Sequence, residues 1–363
     1  MNPGNRVMQQ AQPRRAFRTL DGLRGVGALM VVMRHVPALF GPVRVPESFL
    51  AVDLFYLVSG FVVAHAYGER LGQGGFLAAF VKTRLIRLYP LYGFGLALGI
   101  VVATIAVVTD PAGWWNPTRL AEAVVTGVLM IPLFPGLGAN GSSLDGPTWT
   151  LLPELVANAA YAAAVRFMNT ALLLAIMAVC GLGVVFAELH YDSLDVGYNA
   201  TDFWAAIARA GFSFFAGVLV FRLSGGRERK SELVAWICVA ILTVILAWRP
   251  TDAQTPWFEL GAVLAGFPVL VAVAAQFEPR AWTGRLFSHV GLVSYGIYIL
   301  HQPLGHLARL ALNGHVEVPG DARGLLFGGA FLLFLVWFAG WLDRRYDAPV
   351  RRWLRALWLS GPI

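Results

Sequence analysis

Charge is scarce in this chain: 13% of its 363 residues are Asp, Glu, Lys or Arg, while 57% are hydrophobic. Soluble domains carry about twice that share of charge, so a soluble enzyme or binding module is excluded. Cysteine is scarcer still. Cys180 and Cys238 both stand inside apolar runs, and neither a disulfide nor a metal site is expected. No block of domain size remains between the apolar runs, and no internal repeat, heptad array or low-complexity tract is visible.

What remains is an all-α polytopic membrane protein. Apolar runs of spanning length fall at 20–40, 49–67, 88–108, 151–166, 171–189, 204–221, 233–248, 258–275, 286–310 and 324–342. An eleventh, 120–134, is short and contains Pro132. The net charge of +7 is a topology signal rather than a nucleic-acid patch, because the cations gather in turns. With the N-terminus cytoplasmic, 20 of the 28 Lys and Arg residues fall in cytoplasmic segments, and four (Arg44, Arg119, Arg249, Arg323) fall in the opposite loops. That bias requires 120–134 to be re-entrant or interfacial, which leaves ten transmembrane helices and both termini cytoplasmic.

The expected organisation is one transmembrane domain over 1–342, with 1–19 as a cytoplasmic segment, then a basic interfacial tail over 343–363. In that tail Val350, Trp353, Leu354, Leu357 and Trp358 recur at helical spacing, apart from Arg351, Arg352 and Arg355. Arg6, Arg14, Arg15 and Arg18 precede a run without a small-residue cleavage pattern, so no removable signal peptide is expected. The acidic loop 190–202 reads as solvated.

Ionisable residues inside apolar runs are functional candidates, because a charge near mid-bilayer costs several kcal/mol. Arg24 and His35 are the foremost. Eleven residues at about 100° each end about 20° past three turns, so they share a helix face, about 16 Å apart along it. Comparing depths along alternating spans places His35, Asp53, Glu154 and His301 in one outer layer. An imidazole beside a carboxylate suits general-base chemistry on a hydroxyl. The plainer alternatives are a helix cap for Asp53 and a packing role for His301. Arg24, Arg84 and Arg87 form an inner set able to hold a polyanion through bidentate contacts. Arg209 needs a partner that the sequence does not name, and Arg34 is expected to snorkel outward.

Five stretches resemble the acyltransferase type 3 family, bacterial integral-membrane enzymes that O-acylate surface polysaccharides and related molecules. They are Leu20-Asp21-Gly22-Leu23-Arg24-Gly25 through His35, an Arg-x10-His pattern; Ala51-Val52-Asp53-Leu54-Phe55-Tyr56-Leu57-Val58-Ser59-Gly60-Phe61; Arg84-Leu85-Ile86-Arg87-Leu88-Tyr89-Pro90; Trp149-Thr150-Leu151-Leu152-Pro153-Glu154; and Ser294-Tyr295-Gly296-Ile297-Tyr298-Ile299-Leu300-His301-Gln302-Pro303. Thr150 stands where the family usually has serine, and Pro153-Glu154-Leu155 where it often has two adjacent acids.

The resemblance implies an O-acyltransferase of the bacterial inner membrane, with no permanently bound cofactor. Acetyl-CoA or another acyl-CoA would be the co-substrate, its phosphates held by Arg24, Arg84 and Arg87. His35, oriented by Asp53 or Glu154, would act as general base or as acyl-carrying nucleophile on a glycan or lipid-linked sugar hydroxyl. Trp149, Tyr298 and His301 are the acceptor-side candidates. The extra hydrolase-like domain of some relatives is not expected, so any periplasmic partner would be a separate protein. The competing reading is a transporter or flippase whose path these residues line.

Overall fold

The computed structural model describes residues 15–73, 76–110, 112–131, 144–225, 228–312 and 324–358. They form an all-α bundle. Its main helices are α1 (Arg18–His35), α2 (Ala51–Gly72), α3 (Leu77–Thr109), α4 (Pro117–Leu129), α5 (Leu151–Ala164), α6 (Thr170–Tyr191), α7 (Phe203–Leu223) and α8 (Glu232–Ala247). There follow α9 (Thr255–Gly261) and α10 (Phe267–Ala274), joined through a π-helical turn at Ala262–Gly266, then α11 (Ala281–Leu312) and α12 (Gly324–Leu342). A second π-helical turn, Asp343–Asp347, leads without a break into α13 (Ala348–Trp358). Two residue pairs, β1 (Arg229–Lys230) and β2 (Phe277–Glu278), form a parallel bridge at the basic end.

Among the described residues, six helical stretches are long and apolar enough to cross a membrane: Pro46–Gly72, Leu77–Thr109, Thr170–Tyr191, Phe203–Leu223, Thr255–Ala274 and Gly324–Trp358. The chain is thus a multi-pass membrane protein. α1 is not among them because it carries Arg18, Asp21, Arg24 and Arg34, α11 because Ser, His, Gln and Gly dilute its apolar residues, α5 and α8 because they are short. The 120–134 run becomes the 13-residue α4, about 20 Å long against a hydrocarbon core of about 30 Å. It stops where Met130 turns left-handed. The end of that run, and residues 1–14 and 359–363 of the terminal segments, lie outside the described residues.

Small residues set the closest helix crossings. α1 runs parallel to α11, with Gly25 against Val290 and Gly22 against the Phe287 ring. α2 and α7 cross backbone to backbone. A Cβ at Gly60 would collide with the Phe214 carbonyl oxygen, and one at Gly217 with that of Leu57. α6, by contrast, turns Val179, Leu182, Phe186 and Leu189 outward, as a lipid-facing helix does.

The N-terminus of α1 is tied down by a distant segment: the Arg18 amide donates to Glu278 Oε2 (3.1 Å) and Thr19 Oγ1 to the Phe277 carbonyl. Burial pushes the Glu278 carboxyl up to about 7, against the lowering effect of the Arg18 amide and the Arg15 charge. Because the folded value exceeds the unfolded one, folding favours the protonated form. That contribution is complete below about pH 4.5 and is lost as pH rises through 7.

Two outcomes are expected. Gly60→Ala should lower stability by about 3 kcal/mol through overpacking against backbone, whereas Gly72→Ala, with open space around it, should not. Thermal unfolding in detergent checks this. The native midpoint should fall between pH 5 and pH 8, and Glu278→Gln should flatten that slope; an equal slope in the variant would mean that Glu278 is ionised in the folded protein.

Candidate active site

Three cavities lie in series along the bundle. The first, at the basic end, has a volume of about 270 Å³ and is lined by Asp21, Arg24, Arg87, Asp343, Asp347 and Arg351. Arg24 and Arg87 also line the second, central cavity of about 110 Å³, with Ser59, Arg84, Glu154 and Tyr298. Thr150 closes the central cavity's far side, and its neighbour Trp149 lines the third, of about 900 Å³. His35 lines this third cavity too. Arg24 and His35 therefore face different cavities of one series, as their spacing on one helix face requires.

At the inner end, Arg24 faces Asp21 at 3.8 Å and donates to Ser294 Oγ (3.2 Å). Arg351 bridges Asp343 (2.8 Å) and Asp347 (3.1 Å). The sequence reading did not pick out Arg351, although its i,i+4 spacing from Asp347 was visible. Its helix is continuous with α12, so the tail helps to build this cavity rather than lying apart from the bundle. Arg87 is accessible and has no ion pair among the described residues.

Arg84 shares the central cavity with Arg24 and Arg87, but it lies deeper than a cation at the entry to its span: it is 7% exposed and 2.6 Å from Glu154 Oε1. Ser59 Oγ donates to the same oxygen (2.7 Å). The reason is the length of α3, which starts at Leu77 rather than near Leu88. That start puts Arg84 two helical turns inside the bundle, about 10 Å along the axis.

The expected pairing of His35 with a carboxylate is also not what the structure holds. Asp53 is wholly buried and taken by Arg209, whose Nη2 lies 2.5 Å from Oδ2 and Nε 3.2 Å from Oδ1. Arg209 Nη1 donates to the carbonyls of Leu194 (2.5 Å) and Val196 (3.0 Å). A charge buried this deeply is tolerated only when paired and hydrogen-bonded, so Asp53 is held by α7 and Glu154 by α3. The depth argument, applied to Arg209, would have found Asp53: α2 and α7 run parallel and each residue lies near its helix start. Loop 190–202 is likewise not merely solvated, since Asp195 pairs with Arg34 at 2.5 Å.

His35 is positioned by other means. Its Nδ1 lies 2.9 Å from the Val31 carbonyl. A carbonyl only accepts, so Nδ1 carries a proton, and in the neutral ring Nε2 is the nitrogen with the lone pair. Beside it, at a ring separation of 5.1 Å, His301 makes the same choice, with Nδ1 2.8 Å from the Tyr298 carbonyl. Two imidazoles, each with Nδ1 engaged by a carbonyl, thus meet near the outer cavity. Tyr298 braces the turn before α5, donating to the Pro147 carbonyl (2.9 Å) and meeting Thr150 Oγ1 (3.0 Å). That turn carries Trp149 into the cavity wall.

The model of the Acyltransferase domain family, type 3, matches residues 17–357, nearly all of what the structure describes. The chain belongs to this acyltransferase family. The acyltransferase is 44% identical over 185 residues to "Protein 2 in picA locus" of Rhizobium radiobacter, covering 47% of this chain and 95% of that protein. It is 24% identical to the putative membrane-bound transacylase BcsY of Komagataeibacter xylinus, over 80% of this chain and 73% of that one. It is also 25% identical to the peptidoglycan O-acetyltransferase OatA of Listeria monocytogenes, over 93% of this chain and 60% of OatA. No solved structure matches the acyltransferase.

Removing one partner of the Asp53–Arg209 pair should be far worse than removing both. Asp53→Leu alone should destabilise the acyltransferase by about 3–5 kcal/mol, and Asp53→Leu with Arg209→Met should recover most of that. Thermal unfolding of the two variants beside the native chain measures the difference.

Proposed function

We propose that this protein is a ten-span O-acyltransferase of the bacterial inner membrane, with both termini cytoplasmic. It takes an acyl group, acetyl by preference, from cytoplasmic acyl-CoA and passes it to a hydroxyl of a glycan or lipid-linked sugar on the outer side. The observation that carries this reading is the series of cavities that begins among guanidinium groups and ends at a histidine with a free ring nitrogen. Arg24, Arg87 and Arg351 bind the phosphates by charge-assisted hydrogen bonds, displacing Asp21, Asp343 and Asp347. The acyl arm lies along the central cavity past Ser59 and Tyr298.

At the outer end His35 acts as general base. The acceptor hydroxyl gives its proton to His35 Nε2 as its oxygen attacks the thioester carbonyl carbon. The tetrahedral adduct collapses with cleavage of the C–S bond, and the imidazolium returns its proton to the departing CoA thiolate. The carbonyl of Val31 holds the tautomer that this step needs. Asp53 and Glu154 act at a distance: Asp53 fixes the α2–α7 crossing, and Glu154 neutralises Arg84 so that the central cavity carries no surplus charge at that point.

The test is turnover of radiolabelled acetyl-CoA by purified protein in proteoliposomes. His35→Ala should lower transfer at least about 100-fold while leaving CoA binding intact. Arg87→Ala and Arg351→Ala should each weaken CoA binding about tenfold. A native protein that neither binds nor consumes acyl-CoA would overturn the reading.

A further inference from the structure

The outer cavity has an unexpected charge. Arg34, Arg44 and Arg249 line it against a single described carboxylate, Asp195. Arg34 and Asp195 neutralise each other at 2.5 Å, and Arg34 is further held by the Pro46 carbonyl and the Phe49 ring, 5.0 Å away. Among the described residues Arg44 and Arg249 then remain without a counter-charge. Arg44 spends only Nη1 on its own turn, donating to the carbonyls of Gly41 (2.6 Å) and Val43 (2.8 Å). Among the described residues Arg249 has no hydrogen bond or ion pair.

Cations are rare at this end of the protein. Only Arg44, Arg119, Arg249 and Arg323 fall in the loops opposite the basic ones, and two of those four face this one cavity. They come from segments about 200 residues apart in sequence, so chain proximity does not explain their meeting. Trp149 and Tyr198 add two flat aromatic faces with polar tips to the same wall. A surplus of guanidinium beside aromatic faces, within the wall that holds His35, is suited to a sugar bearing negative charge.

We infer that the acceptor is an anionic glycan, whose carboxylate or phosphate groups are held by Arg44 and Arg249 while a hydroxyl is presented to His35. This rests on the assignment of the outer cavity as the acceptor side, and it narrows the acceptor to one chemical class. The negative charge has two possible sources, an acidic sugar residue and the diphosphate of a lipid carrier, and both present the same chemistry to the two arginines.

Binding to the purified full chain, measured without any acyl-CoA, separates these cases from one another and from failure of the enzymatic reading. The probes are an oligoglucuronate tetramer, a polyprenyl diphosphate and a neutral glucose tetramer of equal length. At least one anionic probe should bind, and the neutral one should bind at least tenfold more weakly. Raising salt from about 50 mM to about 500 mM should weaken the anionic probe several-fold, because charges facing a wide cavity are screened. Arg44→Gln with Arg249→Gln should abolish the preference, and Arg44→Lys with Arg249→Lys should retain most of it at an unchanged thermal midpoint. Which anionic probe binds identifies the source of the charge. Equal binding of neutral and anionic probes, or an unaltered preference in the double Gln variant, would overturn the inference. Absence of acetyl-CoA turnover alongside charge-dependent glycan binding would instead remove the enzymatic reading.

Discussion

The buried pair of Arg209 and Asp53 is the contact on which the arrangement of this bundle turns. A guanidinium 1% exposed and a carboxylate wholly out of solvent can coexist only if their mutual attraction and the remaining hydrogen bonds replace the water both have lost. Arg209 meets that requirement with four hydrogen bonds, two to Asp53 and two to the carbonyls of Leu194 and Val196. One side chain thereby locks α2, α7 and the segment before α7 together. The same two helices meet backbone to backbone at Gly60 and Gly217, so the ion pair and the close approach lie along one helix crossing.

The same requirement sorts the other charges. Arg84 is satisfied by Glu154, and Arg34 by Asp195 and the Pro46 carbonyl. Three others without an ion pair among the described residues face a cavity: Arg87 between the inner and central cavities, Arg44 and Arg249 at the outer end. In an apolar bundle, cations without protein partners mark where an anion or water is meant to be. The inner cavity is close to neutral, because Asp21, Asp343 and Asp347 stand against Arg24, Arg87 and Arg351.

Histidine placement follows a different rule. His35 and His301 each use a carbonyl of their own helix, one turn back, to fix a proton on Nδ1. That arrangement needs no carboxylate and leaves Nε2 basic. Matching depths puts Asp53 and Glu154 in the layer of His35, and the family resemblance implies that one of them orients it, but depth places groups in a layer without saying which neighbours meet within it. Arg209 lay in that layer too and had the stronger claim on Asp53, because it is an obligate cation with no other counter-ion.

The all-α membrane character, the apolar runs, the Arg24–His35 helix face and the motif-bearing residues were determined by sequence alone, since each depends on composition or on the fixed period of a helix. The apolar character around Leu88 hid where α3 begins, because a helix end is set by capping and packing and not by where hydrophobicity rises. Which arginine meets which carboxylate, the docking of Arg351 beside Arg24 and the convergence of Arg44 with Arg249 were decided only by tertiary structure. Those pairs join helices and loops up to hundreds of residues apart, and the free energy of burying a charge depends on what lies within a few ångströms of it in space, which no local pattern records.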